Sequence, residues 1–145
     1  MNNPVRKAQP RAASNEEENP ERALQAMTDF QNAEAALARD DLAKAAVLAR
    51  KAQEGEPSNP DYNALVAWIG ALSGPKEIPL AIAKLNVILK DEALCERALL
   101  YRGRLYKRAK RTAEALRDFS TVLDINPNNA EAAGEARVLR MTKKK

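Results

Sequence analysis

Apolar residues recur along this chain at helical spacing in seven stretches, each closed by proline, glycine or a polar cluster. The clearest pair carries Leu99, Gly103 and Tyr106, then Ala115 and Phe119. Earlier stretches carry Ala45, Ala49 and Ala52, then Leu65, Trp68, Ile69 and Leu72, then Ala81 and Leu85. Asn19-Pro20-Glu21 is a start signal: an N-cap, a proline in the first turn and an acid facing the helix dipole. It predicts a helix over about 20–38, and Asn59-Pro60-Asp61 repeats the signal for a third helix reaching about Ser73. Between them, a second helix follows Asp40-Asp41 and ends near Gly55, read as a C-cap. Gly74-Pro75 breaks the chain, and Pro79 fits only a first turn, which sets the fourth helix at about 78–90. The fifth and sixth follow at about 93–108 and 112–124. After Asn126-Pro127-Asn128-Asn129, where the asparagines read as a cap, a seventh spans Ala130 to Met141 with Ala133, Val138 and Leu139.

Within the fifth and sixth helices the spacing is specific. Leu99, Arg102, Gly103 and Tyr106 are followed by Ala115 and Phe119, and Pro127 closes the stretch. Small Gly103 and Ala115 suit a close crossing of two antiparallel helices, with Tyr106 and Phe119 filling the space beside it. Residues 96–127 thereby resemble a tetratricopeptide (TPR) repeat, a 34-residue unit with Trp-x2-Leu-Gly-x2-Tyr, Ala-x3-Phe and a final Pro. One period earlier, Leu65, Trp68, Ile69 and Leu72 precede Ala81 and Leu85, without the crossing glycine and with Ala93 in place of the closing proline. A further period needs two extra residues, which Pro57-Ser58-Asn59-Pro60-Asp61 absorbs. There Ala45, Ala49 and Ala52 take the second-helix places, and Ala33 and Ala36 stand where Gly and Tyr would.

The resemblance implies an all-α fold, a right-handed superhelical array of antiparallel helix pairs. Its TPR domain would cover 19–141, with repeats at about 26–59, 62–95 and 96–129 and a capping helix at 130–141. Three repeats are about the least that buries a continuous core. Residues 1–18 show no apolar periodicity and are expected to be a disordered tail, and 142–145 a frayed basic tail.

Composition removes whole classes of function. Of 145 residues 45% are hydrophobic but only 4% aromatic, which favours closely packed Ala/Leu helices. No apolar run approaches the ~20 residues of a membrane span, and the start is no signal peptide, so a cytoplasmic location is expected. Histidine is absent, which removes the commonest general base and metal ligand. No phosphate loop, nucleophile elbow or metal cluster appears, and the reading is of no enzyme, no catalytic residues, no cofactor and no metal. Cys95, the sole cysteine, excludes an intrachain disulfide and is read as a small buried hydrophobe.

The family resemblance further implies a concave groove lined by the first helix of each repeat and receiving a peptide. Helical spacing places Phe30 and Glu34 there from the first repeat, and Asn63, Val66 and Ala67 from the second. The third supplies Arg97, Leu100, Tyr101, Arg104, Lys107 and Arg108. Residues 96–145 hold 13 Lys/Arg against 6 Asp/Glu in a chain of net charge +4, so this last part is the basic one. The expected partner is a protein segment with acidic residues beside an apolar anchor, and self-association stays open. Chaperone-binding TPR domains use a carboxylate clamp, at whose places this chain has Phe30, Glu34, Ala67, Arg97 and Tyr101. Only Arg97 matches in chemistry.

Trp68 falls at a core place and is assigned to packing. A second reading, weak nucleic-acid binding, rests on Lys107-Arg108-Ala109-Lys110-Arg111, although cations also favour a helix C-terminus. Leu100-Tyr101-Arg102-Gly103 through Asn126-Pro127 also looks like TPR tails of bacterial multidomain proteins, some with a J domain. The His-Pro-Asp motif of that domain is missing here. A dedicated chaperone for a secreted subunit is the other family use of such arrays.

Overall fold

Asn19 opens the first helix by accepting a hydrogen bond from the backbone N–H of Arg22 at 3.1 Å. The computed structural model describes residues 19–144, with side chains to Thr142; the tail expected at 1–18 and Lys145 lie outside the described residues. Among the described residues there are seven α-helices, one 3-10 turn and no strand. They are α1 Pro20–Ala38, α2 Leu42–Gly55, α3 Pro60–Ala71, α4 Ile78–Asp91, α5 Glu96–Arg108, α6 Thr112–Ile125 and α7 Ala130–Lys144, with the 3-10 turn at Pro75–Glu77 before α4. The molecule is an all-α helical repeat array. It divides into two compact units, one ending at Tyr62 and the other beginning at Asn63, so the boundary falls inside α3.

The first unit is the α1–α2 hairpin. Ala26, Phe30, Ala33 and Ala36 of α1 are buried, as are Ala45, Ala49 and Ala52 of α2, so small side chains let the two helices come close. Gly55 shows how close. It is the last residue of α2 rather than a residue beyond its end, and Glu56 is the cap. A Cβ built on Gly55 would stand 2.8 Å from the Cβ of Ala26, so the glycine serves a helix crossing rather than a left-handed cap. The turn between the helices instead uses Asp40, at φ 62°. Asp41 then caps α2, accepting from the backbone N–H of Lys44 at 3.2 Å.

In the second unit α5 and α6 form the matching hairpin. A Cβ on Gly103 would lie 2.9 Å from Cζ of Phe119, which is why a residue without one stands there. Phe119, Ala115, Leu99 and Leu105 are buried around the crossing. Lys110, at φ 63°, takes the place that Asp40 has in the first hairpin. In both turns the next backbone N–H reaches back five residues, Asp41 to the Ala36 carbonyl and Arg111 to the Tyr106 carbonyl. Pro79 sits in the first turn of α4, as its missing N–H requires.

Three local details depart from the sequence reading. The fifth helix begins at Glu96, with Cys95 only half-buried as its N-cap and giving no side-chain capping bond. The third helix ends at Ala71. In α7, which packs on α6, the buried residues are Ala132, Ala136 and Leu139, whereas Val138 is 52% exposed.

Candidate peptide-binding site

The long residues of α5 sort onto two faces. Arg102 turns toward α6, donating to both carboxylate oxygens of Asp118 at 2.8 and 2.7 Å and to Oδ1 of Asn86 at 2.8 Å. Arg104, Lys107 and Arg108, one to four residues apart, share another face. Arg104 donates through Nε and Nη2 to the two oxygens of Glu131 at 2.6 and 2.7 Å, a fork-on-fork geometry. Lys107 reaches Glu135 at 2.8 Å. Glu131 and Glu135 stand four apart on α7, which brings them to α5 together. The Glu131 hydrogen bonds hold the Arg104 guanidinium above its ordinary pKa, against the opposing effect of burial.

Beneath these charges lies a flat aromatic floor. The rings of Trp68 and Tyr101 are stacked, with centroids 5.2 Å apart and planes 9° from parallel. The guanidinium carbon of Arg104 lies 5.0 Å from the Trp68 ring centre and 5.2 Å from that of Tyr101. Arg108 lies 5.1 Å from the Trp68 ring centre. Together Trp68, Arg104, Lys107, Arg108, Glu131 and Glu135 line a cleft of about 330 Å³.

Of the residues expected in the groove, the cleft gathers Arg104, Lys107 and Arg108, with Tyr101 against Arg104 and the indole. Arg97 donates to the Tyr101 hydroxyl at 3.1 Å. Leu100, Asn63 and Val66 are half-buried, and Ala67 is buried. Phe30 and Glu34 belong to the first unit, where the Phe30 ring is 8% exposed and lies 4.8 Å from that of Tyr62. Three lining residues escaped the sequence reading. Trp68 fills a core place and is only 6% exposed, yet it floors the cleft. Glu131 and Glu135 were invisible because their partners lie 27 and 28 residues away; the one local hint is their i,i+4 spacing. The basic run is similarly consumed in part, Lys107 by Glu135 and Arg111 by a two-bond pair with Glu114. Among the described residues no helix is long and apolar enough to cross a membrane, and no three His, Cys, Asp or Glu cluster to hold a metal.

The crossing of Gly103 on Phe119, in a hairpin closed by Asn126-Pro127, is the packing of one repeat unit, and the family model of the tetratricopeptide repeat matches residues 96–129. This chain carries a TPR repeat. Its fold is that of TPR domains. It is similar to the first TPR of Spaghetti (RPAP3) bound to the HSP90 peptide SRMEEVD, with TM-score 0.71, 20% identity, and coverage of 85% of this chain and 98% of that one. It is similar also to the Arabidopsis OM64 TPR domain, with TM-score 0.68, 21% identity, and coverage of 83% and 98%. The Sgt2 TPR domain from Aspergillus fumigatus gives TM-score 0.68 at 16% identity, over 82% of this chain and 79% of that one. No curated protein matches the chain in sequence.

Proposed function

We propose that this TPR protein is a non-catalytic scaffold that binds a segment of a partner protein, and that the cleft over Trp68 takes an acidic residue next to an apolar one. The observation that carries this reading is Arg108. Its exposed guanidinium lies over the indole and, among the described residues, has no carboxylate partner. A planar cation backed by an aromatic face is suited to a bidentate carboxylate, and the indole is the apolar side chain lining the same cleft. Peptide binding is also what the Spaghetti domain does with its HSP90 peptide.

The same peptide is not carried over. Phe30, Glu34, Ala67 and Tyr101 stand where a carboxylate clamp needs amides and cations, and Phe30, Ala67 and Tyr101 are buried. Nucleic-acid binding finds less support, since Lys107 and Arg111 already hold carboxylates and Tyr101 is stacked on Trp68 rather than open to a base.

Trp68 is the sole tryptophan, so its fluorescence reads the cleft directly. Titration with acidic-apolar peptides should change that emission, and Arg108→Glu should weaken the tightest peptide about tenfold or more, the worth of one charge-assisted contact. Lys110→Glu, the same charge change on a residue that does not line the cleft, should have little effect. Equal losses in both variants would show diffuse attraction and reject the cleft.

A further inference from the structure

Glu131 and Glu135 do more than fasten α7. The cleft holds three cations, Arg104, Lys107 and Arg108, and two carboxylates. Arg104 is committed, since Glu131 occupies its Nε and Nη2 edge while its guanidinium carbon lies 5.0 Å and 5.2 Å from the Trp68 and Tyr101 ring centres. Lys107 is bonded to Glu135. One cation is left, Arg108, and it is exposed. An entering carboxylate therefore meets Arg108, whereas a second one on the same segment meets Glu131 or Glu135 at close range. Like charges facing each other across an interface cost affinity and reject partners.

We infer that α7 sets the charge specificity of this cleft: it selects partner segments with a single carboxylate beside an apolar residue and discriminates against acidic runs. This rests on the proposed peptide-binding role and narrows it. Abundant basic residues on the last third of the chain would suggest the opposite preference, for as many acids as the segment can carry. The two α7 glutamates reverse that expectation by filling two of three cationic places from within. They are specificity residues held in place by the same bonds that orient Arg104 and Lys107.

The test is a fluorescence titration of the full chain with three peptides that share one apolar anchor and carry no, one or two adjacent aspartates. The first aspartate should tighten binding about tenfold, and the second should change it by less than about twofold. Glu135→Gln keeps the shape of the side chain and removes its charge. In that variant the second aspartate should also tighten binding, by about threefold or more, while Arg108→Gln should abolish the gain from the first. Circular dichroism and thermal melting establish that each variant is folded. If wild type tightens equally with each aspartate, or Glu135→Gln leaves the order unchanged, this inference falls and the peptide-binding role stands. If none of the peptides binds, or a single-stranded oligonucleotide binds more tightly than all three, both fall.

Discussion

Arg102 and Asp118 grip each other through two hydrogen bonds between α5 and α6, and among the described residues Asp118 is the one charged residue that is buried, 2% exposed. Arg102 stands where the repeat signature has leucine. The substitution is tolerable because the guanidinium finds both a carboxylate and the Asn86 amide oxygen, so its charge is not left unanswered on the way into the interior. The hydrogen bonds it donates to Asp118 hold Arg102 above its ordinary pKa, against the opposing effect of burial.

Asp118→Ala should therefore destabilise the protein by about 3 kcal/mol, the usual cost of leaving one member of a buried pair alone. Replacing both residues by leucine should recover most of that loss. Urea unfolding followed by circular dichroism distinguishes the two; a double variant no better than the single one would mean that the pair contributes through shape rather than charge.

The glycines make a prediction of opposite signs. Gly103→Ala forces a methyl against the Phe119 ring and should cost about 1–3 kcal/mol. Gly134→Ala, with nothing within 4 Å of the added carbon, should stabilise α7 by roughly 0.5–1 kcal/mol. Combining Gly103→Ala with Phe119→Leu should show partial rescue in a thermal melt, because the clash is with the ring itself.

Helix caps give a graded series. Asn19 accepts from one backbone N–H of the helix it precedes, and its replacement by alanine should cost about 1 kcal/mol. Asn59→Ala and Asn129→Ala should each cost more. Asn59 accepts from the backbone N–H groups of Asp61 and Tyr62 while its Nδ2 donates to Glu56, and Asn129 accepts from the backbone N–H of Ala132 while its Nδ2 donates to Glu96, so several bonds are lost at once. Thermal shifts of the three single variants test the order.

Titration should show in two limbs. Burial, and then the neighbouring charges of Glu56 and Asp61, raise the Tyr62 phenol above its ordinary value near 10. With the folded value above the unfolded one, its stabilisation is complete below about pH 10 and is lost as pH rises through the folded value. Glu114 is the reverse case. Hydrogen bonds from Arg111 lower its carboxyl, so its contribution is present above the unfolded value and fades as pH falls through the folded one. Tyr62→Phe should flatten the alkaline limb of a stability-versus-pH curve, and Glu114→Gln the acid limb, each leaving the other limb in place.

How far the sequence foretold the molecule depends on the range of the interaction concerned. Asn19, Asn59, Pro79 and the 40–41 turn act within a few residues, and the helices they bound come out within two or three residues of expectation. Gly103 and Phe119 are 16 apart but belong to a hairpin whose signature fixes the spacing, so their contact was legible too. The cleft was not. Trp68 joins it from α3, Glu131 and Glu135 from α7, and no periodicity links those segments to Arg104 or Lys107. Spacing along α5 found the cations; only tertiary pairing shows which of them are already engaged.

One carboxylate oxygen of Glu96 accepts from Asn126 at 3.0 Å and from Asn129 at 2.7 Å. The residue that begins the matched 34-residue segment is thus tied to the residue that ends it. Entrance and exit stand side by side at a single latch. A module built this way lets the chain pass on to a following unit from the spot where it arrived, so adding a unit after it leaves this latch intact.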